Sequence, residues 1–103
     1  MASSKQYLDY ILDQLSGLSD ISFRSMMGEY ILYYKGKIFG GIYDDRLLVK
    51  NIKSARRVMP DAGLELPYEG AKEMLLVTDV DDRELLRRLV TEMDDELPLR
   101  KKG

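Results

Sequence analysis

A run of positive charge is the first feature of this sequence that could do chemistry. Five cations fall within twelve residues, namely Arg46, Lys50, Lys53, Arg56 and Arg57. Such a basic patch can bind phosphate groups or an acidic partner, although a surface charge run is more often a solvated face. Neither glycine-rich phosphate motif, GxxxxGK[ST] or GxGxxG, accompanies it. Direct nucleic-acid binding through this patch is therefore an alternative hypothesis and is not favoured.

Three acids, Asp79, Asp81 and Asp82, could suggest a site for a hard cation. The calcium-loop pattern also requires a glycine and a distant glutamate at fixed spacing, and the sequence has neither. Acids before an amphipathic run are typical of a helix N-terminus, where they accept backbone N–H groups and meet the positive end of the helix dipole. We therefore expect helix capping here and no bound metal.

The sequence contains neither histidine nor cysteine. This composition excludes a Ser-His-Asp triad, a Cys-His dyad and an ordinary zinc site. Enzyme chemistry would have to use carboxylate, lysine, tyrosine or serine side chains. We expect a protein without enzymatic activity and without a cofactor, and an enzyme that uses no His or Cys chemistry is the remaining alternative.

A surface around a turn and several tyrosines is the favoured candidate for binding a protein. Arg24 and Glu29 could join the tyrosines in a polar cluster at one end of a sheet, although cross-strand pairing is simpler. Methionine suits adaptable contacts, so Met26 could be core or contact, whereas Met27 shares the parity of Phe23 and is predicted to fill the core. The candidate interaction surface comprises Arg24, Met26, Gly28, Glu29, Tyr30, Tyr34 and Tyr43.

Two long amphipathic helices are predicted at residues 3–17 and 79–97, where apolar side chains recur at helical spacing. Ser3 followed by Gln6 is a capping-box pattern. Gly17 suits the left-handed residue that often ends a helix. Each long helix must bury its apolar face against another element.

Alternating apolar runs joined by tight turns predict an antiparallel meander and one later strand. The predicted strands are residues 21–27, 30–35, 37–43, 46–50 and 74–78. Gly40 and Gly41 interrupt the third strand, which indicates close approach of a helix, another backbone or a ligand, with a covering helix favoured. A short helix at 52–59, capped by Asn51, and a loop at 61–70 lead to the fifth strand.

These elements predict an α+β fold of two layers, with a mostly antiparallel sheet of about five strands covered on one face by the N- and C-terminal helices and one short helix. The other face would carry several of the residues Tyr30, Tyr33, Tyr34, Phe39 and Tyr43. An exposed aromatic sheet face would mark a partner or self-association surface. We expect a single domain over residues 1–103, with a frayed tail at 99–103.

The surroundings of the protein can be predicted only coarsely. No apolar run approaches the roughly 20 residues that a membrane helix needs, and no leader pattern is present, so we expect a cytoplasmic protein without membrane contact. The formal net charge of −2 argues against a wholly nucleic-acid-binding surface. We expect an unidentified protein partner, and a homodimer through the sheet or its edge remains possible.

Three segments, Arg24–Tyr30, Tyr33–Lys50 and Pro67–Met74, carry a family resemblance. They resemble the N-terminal domain of the TfoX/Sxy family, named for regulators of DNA-uptake competence in bacteria. The resemblance implies an α+β domain without catalytic residues, cofactor or metal, acting as a protein-interaction or regulatory module linked to transcription. The sequence departs from many relatives at Met27 and Glu29, where those have Phe and Gly. Competence regulators also carry a second, C-terminal domain, so the resemblance implies a stand-alone, single-domain member.

Overall fold

The computed structural model describes residues 3–97, which form three helices and one six-stranded sheet. The helices are α1 (Lys5–Gln14), α2 (Lys53–Val58) and α3 (Arg83–Asp94). The strands are β1 (Ile21–Met26), β2 (Glu29–Tyr34), β3 (Lys37–Ile42), β4 (Leu47–Val49), β5 (Leu64–Glu65) and β6 (Met74–Leu76). Neighbouring strands are antiparallel, in the order β1-β2-β3-β4-β6-β5.

All three helices pack on one face of the sheet, and this contact forms the apolar core. The register places Leu32, Gly40 and Val49 side by side on that face. The buried core includes Leu8, Ile11 and Leu15 of α1, Ala55 and Val58 of α2, Leu86, Leu89, Val90 and Met93 of α3, and Leu32, Tyr34, Phe39, Ile42, Leu47, Val49 and Leu75 of the sheet. The predicted two-layer α+β architecture is therefore confirmed.

The sheet has one strand more than the approximate five that the sequence predicts. The additional strand is β5, which lies in the segment 61–70 that we expected to be a loop. Its two residues pair with β6, where Leu64 lies opposite Leu75. A two-residue strand is too short to show alternation, so periodicity could not reveal it.

Two-residue turns of one kind join the first four strands. Both central residues of each turn have positive φ, with 53° and 86° at Met27 and Gly28, 53° and 79° at Lys35 and Gly36, and 53° and 56° at Asp44 and Asp45. Positive φ at both positions defines the type I′ turn, whose twist matches an antiparallel hairpin. The chain thus forms a tightly connected meander.

The position of the first turn corrects two predictions about methionine. We expected the break at Gly28 and Glu29, but the turn is formed one residue earlier by Met27 and Gly28. Met27 consequently leaves the strand, and its side chain is 97% exposed. The prediction that Met27 fills the core is therefore wrong.

The start and end of α1 also differ from the sequence prediction. Ser4, and not Ser3, is the N-cap residue, and its Oγ accepts the N–H of Tyr7 at 3.1 Å. The helix ends at Gln14, and Gly17 does not have the positive φ of a left-handed cap. The capping-box and glycine-cap predictions are wrong, although the predicted helix is present.

Carboxylates cap the other two helices. Asp82 Oδ1 accepts the N–H of Leu85 at 3.0 Å, so the capping role predicted for the acids before α3 is confirmed for Asp82. The Asp81 carboxylate instead accepts the hydroxyl of Tyr10. Asn51 does not cap α2, so that prediction is wrong. Instead Glu96 accepts the N–H groups of Ser54 at 2.7 Å and Lys53 at 3.1 Å. The Ser54 N–H is the main reason that the pKa of Glu96 lies below its usual value.

The two glycines of β3 are explained by backbone and a tyrosine ring, and the favoured covering helix is wrong. A Cβ on Gly40 would overlap the Leu48 carbonyl oxygen and lie 2.9 Å from the Cα of Val49. A Cβ on Gly41 would lie 2.7 Å from the Tyr43 ring. Glycine at these positions lets β4 and Tyr43 approach β3 closely.

Two further expectations concern membranes and metals. Within residues 3–97 no helix has both the length and the apolar character needed to cross a membrane. The same residues contain no group of three or more acids placed to hold a metal ion. The predicted frayed tail at 99–103 lies outside the described residues.

Candidate functional site

The aromatic residues predicted for an exposed sheet face are buried or half-buried, and they lie on both faces of the sheet. Phe39 and Tyr34 lie in the core on the helix face, with 1% and 7% exposure. Tyr33 precedes Tyr34 in β2 and therefore lies on the opposite face of the sheet, yet its exposure is only 6%. Tyr30 is half-buried against the core, and Tyr43 is half-buried across Gly41. A continuous exposed aromatic face is therefore not formed, and Tyr34 is not at the surface.

The β1 strand forms one edge of the sheet and is open to solvent. Its residues from Ser22 to Met26 are all exposed. Phe23 lies directly opposite Leu32, which is fully buried, yet Phe23 is 45% exposed. The Phe23 ring meets Tyr30 edge-on, with ring centroids 6.0 Å apart. Within β1, Ile21 packs against the core, whereas Phe23 extends the apolar layer toward solvent.

An apolar groove of about 500 Å³ runs beside β1 on the helix side. Its lining includes Leu12, Leu15 and Leu18 from α1 and the segment after it, with Ile21 and Phe23 from β1. The groove borders β1, which is an edge strand, so a segment that paired with β1 could place side chains in it.

The backbone of β1 offers hydrogen-bonding groups on its open side. The N–H of Lys35 donates to the carbonyl of Asp20 at 3.0 Å, so even-numbered residues of this strand point their backbone groups toward β2. The register pairs Met26 with Glu29 around the turn, which gives the same parity. The N–H and C=O groups of Ile21, Phe23 and Ser25 therefore point away from the sheet.

The turn after β1 presents two methionines. Met26 is 50% exposed and Met27 is 97% exposed. The φ of 53° at Met27 is uncommon for a residue with a long side chain, whereas Asn, Asp and Gly adopt it readily. We call Met26, Met27 and Gly28 the hairpin tip. Arg24, on the strand before it, is exposed and has no hydrogen bond or ion pair from its side chain within residues 3–97.

A set of polar contacts, here called the polar clamp, holds the base of the hairpin tip. Ser3 donates from its N–H to Glu29 Oε1 at 3.0 Å and from its Oγ to the same atom at 2.6 Å. The N–H of Ser3 also donates to the carbonyl of Gly28 at 3.0 Å. The Asp44 N–H donates to Glu29 Oε2 at 3.2 Å, and the Asp45 N–H donates to Ser3 Oγ at 3.1 Å.

The polar clamp supplies the hydrogen-bond partners of the Glu29 carboxylate, and Arg24 is not among them. The carboxylate joins the N-terminal segment to the turn between β3 and β4, so the predicted cluster of Arg24 with Glu29 is not formed. The contacts fix the base of the hairpin tip against two other parts of the chain. These hydrogen bonds therefore hold the base that carries the exposed Met27.

The predicted basic patch is split into separate groups. Arg46 lies before β4 and forms an ion pair with Glu65 at 2.8 Å, while Lys50 lies after the opposite end of β4. Lys53, Arg56 and Arg57 belong to α2 and are exposed. The structure therefore does not bring all five cations into one surface.

Acids accompany the cations of α2. Arg57 Nη1 lies 3.5 Å from Glu92 Oε1, and Glu92, Asp95 and Glu96 line the same shallow groove as Lys53 and Arg57. A phosphate approaching this groove would meet carboxylates as well as cations, which weakens its attraction.

The exposure of three large apolar or aromatic side chains could not be read from the predicted elements. These residues are Phe23 on β1, Met27 in the hairpin tip and Tyr68 between β5 and β6. The signal for Met27 was available, because Met-Gly before a strand has the same pattern as Lys-Gly, which we did interpret as a turn. Tyr68 is 63% exposed and its ring lies 6.2 Å from that of Tyr43. Burial raises the pKa of Tyr43, and the neighbouring Tyr68 and Glu29 raise it further.

Comparison with known proteins shows the family of this chain. The TfoX N-terminal domain family matches residues 13–93. The chain is also 31% identical over 80 residues to the "Uncharacterized 12.7 kDa protein in trpE 5'region" of Spirochaeta aurantia, covering 78% of this chain and 70% of that protein. No solved structure matches significantly. Because the family match extends over most of the chain, from α1 to α3, the protein belongs to the TfoX N-terminal domain family.

Proposed function

We propose that this protein is a non-enzymatic interaction module that binds a regulatory protein partner through β1 and the hairpin tip. The observation that carries the proposal is the open β1 edge of six residues, on which Phe23 and Met26 are about half exposed beside a fully exposed Met27. Family membership supports a regulatory role of the kind for which the TfoX/Sxy family is named.

The β1 edge has the chemistry needed to add a strand from a partner. An extended peptide can pair with an open edge through main-chain hydrogen bonds, while pockets for alternate side chains supply specificity. The outward backbone groups of Ile21, Phe23 and Ser25 supply the bonds, and the apolar groove beside α1 supplies such a pocket. Proteins usually blunt their edges with charges, proline or shortness. The single charge on β1 is Arg24, and the strand contains no proline.

The hairpin tip adds a second contact. Methionine is flexible and polarisable, so it adapts to irregular apolar surfaces. A positive φ at Met27 costs conformational energy that Asn or Gly would not incur. Methionine in this position contributes nothing visible to folding, because its side chain is exposed almost completely. A binding role accounts for the residue where a folding role does not.

A crosslinking experiment can find the partner. The native chain has no cysteine, so a cysteine introduced at Met27 can carry a photo-crosslinker as the only reactive thiol. We expect this variant to capture a protein from the source cell that a probe at Gly63, on the far side of the sheet, does not capture. Equal capture from both positions would show non-specific contact and would count against the site.

The identified partner can then be tested against strand addition. Ser25→Pro removes an outward N–H without removing a bond between β1 and β2, and proline is tolerated at such edge positions. Ser25→Thr keeps the N–H and is the matched control. We expect at least about a tenfold loss of affinity for Ser25→Pro, since several charge-free hydrogen bonds of about 1 kcal/mol depend on the added strand. An unchanged affinity in a folded Ser25→Pro protein would exclude binding at this edge.

A further inference from the structure

A second concave region lies away from β1 and has a different chemistry. This region, the tyrosine groove, has a volume of about 750 Å³ and lies between β3 and the segment that joins β5 to β6. Its polar and aromatic lining includes Tyr43, Lys50, Asn51, Tyr68, Lys72 and Glu73. Neither the family match nor the proposed protein contact assigns a role to it.

Two tyrosines form one wall of the tyrosine groove. The rings of Tyr43 and Tyr68 lie 6.2 Å apart and are tilted by 52°, so they meet at a corner. Tyr43 is fixed because its ring lies against Gly41. Tyr68 is 63% exposed, although burying an aromatic side chain would be more favourable than leaving it in water. The arrangement leaves an aromatic surface open for stacking by a planar group.

Two cations in the tyrosine groove lack a counter-charge. Lys50 is half-buried and Lys72 is exposed, and neither forms an ion pair within the described part of the chain. Among the described residues that line the groove, Glu73 carries the single carboxylate, so their net charge is +1. Elsewhere partly buried cations do have carboxylate partners, as Lys37 does in Asp94 at 3.0 Å. The free ammonium of Lys50 therefore favours an anionic ligand.

We infer that the tyrosine groove binds a planar aromatic group joined to a phosphate, as in a nucleotide. The aromatic base would stack on Tyr68, where base–aromatic stacking is effective with any base. The phosphate would lie near Lys50 and Lys72, whose ammonium groups attract it. Asn51 is exposed in the lining and offers both donor and acceptor groups to the sugar or the base edge.

Two sources could supply this chemistry, a free nucleotide or a nucleotide within a single strand. Titration with AMP, adenosine and ribose 5-phosphate, followed by amide NMR shifts, separates the contributions of base and phosphate. A five-nucleotide single strand tests the second source. We expect saturable shifts at Tyr43, Lys50, Asn51 and residues 68–74, with AMP binding at least about fivefold tighter than either fragment. The stacked base accounts for the gain over ribose 5-phosphate, and the phosphate accounts for the gain over adenosine.

Variants locate the two halves of the ligand. Tyr68→Ala should weaken AMP by about fivefold or more and leave ribose 5-phosphate unchanged. Lys72→Gln should weaken AMP by about threefold and leave adenosine unchanged, as for an exposed ion pair. Leu66→Ala removes an exposed side chain of the same segment outside the groove and is the matched control.

The outcomes that overturn the inference are distinct from those that test the protein contact. Absence of saturable shifts with every probe up to about 5 mM would exclude the site, since even a millimolar affinity would be visible. Shifts confined to α2, or a strand affinity lost in Arg56→Gln and kept in Tyr68→Ala, would assign phosphate binding to the cations of α2 instead. Binding of the strand alone, sensitive to Tyr68→Ala, would support the groove and identify a strand as the source.

Discussion

The two edge strands of the sheet, β1 and β5, differ in how well they are protected from pairing with other chains. The β5 edge is two residues long, and its Glu65 is tied across to Arg46, whose Nε and Nη2 also donate to the carbonyls of Tyr43 and Leu66. The β1 edge is six residues long and carries exposed Phe23. Short, charge-paired edges resist pairing with other chains, whereas long apolar edges invite it. The fold can evidently blunt an edge, so the open state of β1 supports its use in binding.

Packing within the sheet also differs between its β5 side and its β1 side. On the β5 side, Gly40 lets β4 approach β3 so closely that a side chain would not fit between them. On the β1 side, the side chain of Phe23 is packed against Tyr30 and otherwise faces solvent. Mutations should therefore be costly in the β2–β4 region and mild on β1. Two experiments test this difference, and two more test the β5 edge and the hairpin tip.

The largest contrast is expected between two residues that face each other across β1 and β2. Leu32→Ala should lower the free energy of unfolding by about 2–5 kcal/mol, because it leaves a cavity in the core. Phe23→Ala should lower it by about 1 kcal/mol, since nearly half of the ring is already in water. Urea unfolding followed by circular dichroism measures both. Equal losses would show that β1 is an integral part of the core and not an appended edge.

The next effect tests the close approach of β3 and β4. Gly40→Ala should lower the free energy of unfolding by about 2–3 kcal/mol, because the new methyl group would overlap the backbone of β4. Gly63→Ala is the control, since its Cβ would meet no atom within 4 Å. It should change stability by less than about 0.5 kcal/mol. A tolerated alanine at residue 40 would mean that β4 can move away without loss.

Much of the fold could be predicted from the sequence because periodicity and turn chemistry are local properties. The stripes of α1 and α3 and the Lys35-Gly36 turn identified their elements correctly. The cap of α2 was missed because its partner is remote in sequence. Glu96 reaches α2 across more than forty residues, and a pattern search around Asn51 could not find it.

The candidate site was predicted less well, for a related reason. Exposure depends on where the helices stop covering the sheet, and that is set by packing rather than by the strand itself. Phe23 alternates like a buried residue and lies on the helix face, yet α1 does not cover it fully. Because the turn forms one residue earlier than predicted, Met27 belongs to the turn and not to β1, and its side chain is exposed.

A smaller effect concerns the ion pair that protects the β5 edge. Arg46 and Glu65 are partly exposed, so a double-mutant cycle with Arg46→Gln and Glu65→Gln should give a coupling of about 0.5 kcal/mol. Salt should reduce this coupling. The double variant should also expose the β5 edge without lengthening it, so light scattering should detect no new association. Association of the variant would show that charge, and not strand length, blunts this edge.

The smallest effect separates folding from function at the hairpin tip. Met27→Asn should raise the free energy of unfolding by about 0.5 kcal/mol, because asparagine tolerates the positive φ of a type I′ turn better than methionine. Lys35→Asn is the matched control at the same position of the second turn, where the gain is reduced by loss of the ammonium 3.9 Å from Asp94. Both variants should fold, and only Met27→Asn should lose the captured partner. A stabilised Met27→Asn protein that still binds would leave the β1 backbone as the contact and remove the methionine from it.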